Sequence, residues 1–66
     1  MTVKFIANGR EVTIQVADAF VAARVAKMTL DTYSLETIVV EYKYADEESV
    51  IALTIHSDGR EELTMK

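Results

Sequence analysis

The densest run of reactive groups is His56-Ser57-Asp58, an imidazole, a hydroxyl and a carboxylate in consecutive positions. A hydrolytic triad needs these groups to converge from separate chain segments, whereas consecutive residues entering a hairpin point apart. Triad chemistry is therefore excluded, and His56 is expected to be a plain surface histidine opposite Arg60, its alternative role being a pH-sensitive contact. One histidine and no cysteine leave no usual zinc ligand set. The acidic clusters Asp46-Glu47-Glu48 and Asp58, Glu61 and Glu62 lack the spacing of a calcium loop and read as solvated turns. Paired carboxylates for glycoside chemistry would need a cleft that a small one-helix domain has little room for. Gly9 and Gly59 fall in hairpin turns rather than ahead of a helix, so neither can cradle a phosphate. No enzyme activity, metal or cofactor is expected.

The elements that carry these groups follow from turn chemistry and apolar spacing. Asn8-Gly9 between alternating apolar residues signals a type I′ hairpin that faces Phe5 to Val12 and Val3 to Ile14. Asp18 can cap a helix over Ala19 to Leu30, where Arg24, Lys27 and Asp31 form a polar stripe. Val21, Val25 and Met28 make one apolar flank of that helix, and Ala22, Ala26 and Leu30 make another. Phe20 is left near the polar stripe, to be buried under a flanking loop or, less favoured, to meet a partner. Thr32-Tyr33-Ser34 ends the helix without a glycine or proline stop, so that boundary is set only to within several residues.

Strand signals resume at Glu36, and Asp46-Glu47 supplies a turn that pairs Tyr42 with Ile51, Val40 with Leu53 and Ile38 with Ile55. Tyr42 and Tyr44 then fall on the core face. For the last turn, a two-residue loop would put Leu63 and Met65 on the outer face. A three-residue loop with Gly59 left-handed instead faces them to Leu53 and Ile51. The reading is a single α+β domain over residues 1–66, ββαβββ, with one helix on one face of a five-stranded antiparallel sheet. A right-handed crossover makes the third strand parallel to the second, and slotting the first between them gives the order 2-1-3-4-5.

Sixty-six residues without a cysteine must draw stability from packing or association, so a second copy is a natural partner. No apolar run resembles a signal peptide or a membrane span, which points to a soluble cytoplasmic protein. The net charge of −4 is uneven. Through Leu30, Lys4, Arg10, Arg24 and Lys27 outweigh Glu11 and Asp18 to give +2; from Asp31 on, nine acids against Lys43, Arg60 and Lys66 give −6. Such a charge disfavours direct binding to nucleic acid or to anionic membranes.

The expected function is a non-enzymatic module that binds a protein partner. Its sharper form is an acidic inhibitor of a basic, nucleic-acid-handling protein, whose cations the carboxylates would oppose. Short, acidic, cysteine-free and compact, the chain is similar in general character to small phage-encoded inhibitors of bacterial defence systems, such as anti-CRISPR proteins; the likeness is one of character and not of motif. The expected contact residues are Asp46, Glu47 and Glu48 at one turn, Glu61 and Glu62 beyond another, and Glu41 between them on the outer sheet face. An outer apolar patch of Ile6, Val39, Val50 and Ala52 is the other candidate. The alternative function is a self-associating assembly subunit, a homodimer in its simplest form.

Overall fold

The computed structural model describes residues 1–43 and 48–65, so Tyr44, Asp46 and Glu47 lie outside the described residues. The chain opens with β1 (Thr2–Ala7) and β2 (Arg10–Gln15). Asn8 and Gly9 take φ of 52° and 76°, the two positive values a type I′ turn requires. That turn fixes the register, with Phe5 opposite Val12 and Val3 opposite Ile14 as expected.

Helix α1 (Ala19–Thr32) begins where the Asp18 carboxylate accepts a hydrogen bond from the Val21 N–H at 2.9 Å. It ends within the expected Thr32-Tyr33-Ser34 segment and closes in a Schellman motif. The Leu35 N–H donates to the Leu30 carbonyl at 2.9 Å and the Ser34 N–H to that of Asp31 at 3.3 Å. Ser34, at φ 53°, holds the left-handed position that glycine usually fills. The stop was therefore written in a residue that carries no stop signal.

Three strands complete the sheet: β3 (Thr37–Tyr42), β4 (Ile51–His56) and β5 (Glu61–Met65). The order is β2-β1-β3-β4-β5, and every neighbouring pair is antiparallel. The β4–β5 loop has three residues. Its Gly59 sits at φ 95°, the Gly59 N–H donates to the His56 carbonyl at 3.0 Å, and the His56 N–H donates to that of Arg60 at 2.9 Å. This type I turn with a glycine bulge places Leu63 opposite Leu53 and Met65 opposite Ile51.

The helix lies over the middle of the sheet, where Ala22 and Ala26 meet Val3, Phe5, Ile38, Val40 and Ile55. The two alanines let the helix backbone approach closely. Ile38, Val3 and Val40 are fully buried, each contributing about 1.5–3 kcal/mol by leaving water. One helix cannot cover five strands, and the outer ones stay open. Phe20 is 73% exposed, against the expected burial, because it points to the side of the helix away from the buried Ala22 and Ala26.

Candidate protein-binding surfaces

Side chains on the helix-bearing face form continuous cross-strand rows. One runs Val12, Phe5, Val40, Leu53, Leu63, and the next runs Ile14, Val3, Tyr42, Ile51, Met65. The centres of these rows are buried while their ends are not: Val12 is 55% exposed, Leu63 63% and Met65 66%. The sheet therefore has two uncovered flanks, and they differ.

On the β5 flank, Lys27 of the helix reaches Glu61 at 3.2 Å. Phe20 lies two helical turns before Lys27 and so shares its helix stripe, turned away from the buried Ala22 and Ala26. Leu63 and Met65 share β5 with two carboxylates, Glu61 on the helix-bearing face and Glu62 on the outer one. On the β2 flank, an open groove of about 860 Å³ runs between the helix and the strand. Phe5, Val12 and Ile14 line its sheet side, and Val25, Thr29 and Tyr33 its helix side. No carboxylate lines it, and Arg10 stands at its rim without an ion pair among the described residues.

The anticipated contact residues are dispersed. Glu48 is exposed just before β4, while Glu61 and Glu62 pair with Ile55 and Thr54 near the other end of that strand. Glu41 is half-buried on the outer face between Lys4 and Ala52. Ile6 and Val39 are directly paired there and half-buried. Val50 instead borders a separate depression of about 240 Å³ with Thr2, Lys4 and Glu41, so the Lys4–Glu41 row interrupts the outer apolar patch. Ala52 is buried within the sheet. Val12, Leu63 and Met65 were missed as a surface because alternation names the face a residue takes but not how far one helix extends across it; for Phe20 the less favoured alternative, an exposed side chain, is the one found.

His56 pairs with Thr37 on the outer face and is half-buried rather than a plain surface residue. Its Nε2 is buried without a hydrogen-bond partner among the described residues and lies 3.6 Å from a Glu62 carboxylate oxygen, too long for a hydrogen bond. At the adjoining turn, Asp58 accepts from the Arg60 backbone N–H and from its Nε, each at 3.0 Å. The backbone N–H first, and the guanidinium charge with it, holds the Asp58 carboxyl below its ordinary range.

Among the described residues no group of three or more His, Asp or Glu side chains could hold a metal ion, and no helix is long and apolar enough to cross a membrane. Set against protein-family models, curated proteins and solved structures, the chain matches none.

Proposed function

We propose that this chain is a non-enzymatic protein-binding module whose β5 flank receives a partner surface that is both apolar and basic. The observation that carries the reading is that Leu63 and Met65, both largely exposed, share the edge strand β5 with Glu61 and Glu62, while Phe20 stands exposed on the helix stripe of Lys27, which reaches Glu61. Exposed apolar clusters rimmed by charge mark protein-binding sites more often than they mark bare solvent contact. The Lys27–Glu61 pair is solvent-exposed, so a partner's Lys or Arg can replace Lys27 at little cost. Acidic steering speeds encounter, and the apolar side chains slow release. A nucleic-acid-handling protein offers such a basic surface, and occupying it would block phosphate contacts. An inhibitor of that kind, of phage origin, is the sharper form of the proposal.

A photo-crosslinking amino acid at position 63, used in nuclease-treated host lysate, tests this directly. Crosslinking to a basic protein, lost when Glu61 and Glu62 are both changed to Lys, is expected. Equal capture after the reversal would remove charge from the account, and crosslinking only at position 12 would move the site to the other flank.

A further inference from the structure

The free edge of β2 has no proline, lysine or bulge, its only charges are Arg10 and Glu11, the latter paired with Lys4, and among the described residues no strand pairs with it beyond β1. We infer that it pairs with β2 of a second copy, antiparallel about a twofold axis at Thr13, to make one ten-stranded sheet. This does not rest on the proposed role of the β5 flank.

The hydrogen-bonding parity fixes which groups are available. The Val16 N–H donates to the Met1 carbonyl at 2.9 Å, so Val16, Ile14, Val12 and Arg10 bond inward to β1. Glu11, Thr13 and Gln15 therefore turn their N–H and C=O groups outward. A twofold axis at Thr13 sets Thr13 against Thr13 and Glu11 against Gln15 of the second copy, and all three outward residues find partners. On the helix-bearing face, Val12 then meets the second copy's Ile14 twice over, covering the exposed apolar end of the row. No like charges face each other, and threonine pairs and β-branched pairs are favourable cross-strand neighbours.

The self-complementary register selects a second copy as the occupant, and charge favours this edge over β5. Each chain carries −4, yet the half that holds β2 is net +2. Pairing through β2 brings the two positive halves' mixed charges together and sends the acidic β5 flanks to the far ends. Pairing through β5 would draw Glu61 and Glu62 of both copies into one seam.

Sedimentation equilibrium on the full chain reads the outcome. Wild type is expected to form a dimer that Thr13→Pro weakens at least tenfold, since proline removes an outward N–H without removing a bond to β1. Leu63→Lys should leave the dimer unchanged. Because the chain has no cysteine, Thr13→Cys with a short bis-maleimide gives a second readout independent of the proline variant's folding. It should crosslink to a dimer, while Thr64→Cys on β5 should not. A wild-type monomer at every concentration, dissociation by Leu63→Lys, or crosslinking only through position 64 would each overturn the inference.

Discussion

At one end of the sheet β2 turns Glu11, Thr13 and Gln15 outward beside a groove lined by no carboxylate; at the other, β5 puts Glu61 and Glu62 beside bare Leu63 and Met65. Both strands hang on two-stranded hairpins and both leave apolar side chains uncovered, yet their chemistry suits different company. An edge of mixed polarity and β-branched residues can meet its own image. An acidic edge repels its image and suits a basic surface. One helix placed centrally, close enough to touch only because of Ala22 and Ala26, creates both flanks at once.

The largest expected effect lies between the flanks. Ile38→Ala should destabilise the domain by about 2–5 kcal/mol, because the side chain is fully buried under the helix. Leu63→Ala and Val12→Ala should each cost under about 1 kcal/mol in the monomer, since most of each side chain already meets water. Urea denaturation at low concentration checks all three. Equal losses at position 38 and position 63 would mean the β5 flank is covered.

The two edges are also held by different turns. Gly59→Val puts a β-branched side chain at φ 95° and should cost about 1–3 kcal/mol, detaching β5 while leaving the β1–β2 hairpin in place. Amide exchange should then rise in β5 before it rises in β2. Uniform loss of protection would show that the two edges fold as one unit.

Ser34→Gly removes the left-handed strain at the helix end and should stabilise by about 0.5–1 kcal/mol. It touches neither edge, so thermal stability should rise with no change in dimerisation. A shift in both would tie association to folding and blur the contrast.

The smallest effect concerns Asp58 at the foot of β5. Its carboxyl titrates below its ordinary range in the fold, so its ionised form adds stability above that range, and the gain is lost as pH falls through the lowered value. Asp58→Asn should lower the melting temperature slightly near neutral pH, and the difference should close on acidification. A difference that holds at low pH would assign the effect to geometry and not to charge.

Most of the fold was legible in the sequence because turns and alternation act locally. Asn8-Gly9 dictated its own register, and Gly59 distinguished a three-residue loop through the faces of Leu63 and Met65. Strand order followed from handedness and the need for antiparallel neighbours. The helix end was legible only to within several residues, since Ser34 adopts a conformation its type does not announce. The candidate surface was legible only in its acids: Glu61 and Glu62 were named, but their apolar companions were counted as core. Burial of Leu63 and Met65 depends on how wide a helix is relative to a five-stranded sheet, which no spacing within a strand encodes.

The unlike character of the two edges is tested most directly by residue-resolved amide hydrogen exchange on the wild-type chain across a hundredfold range of concentration. Glu11, Thr13 and Gln15 point their N–H groups away from β1, and Glu61, Leu63 and Met65 point theirs away from β4. Protection that grows with concentration at Glu11, Thr13 and Gln15, with Glu61, Leu63 and Met65 remaining fast, is the expected result. Growth at the β5 amides instead, or at neither edge, would contradict the account.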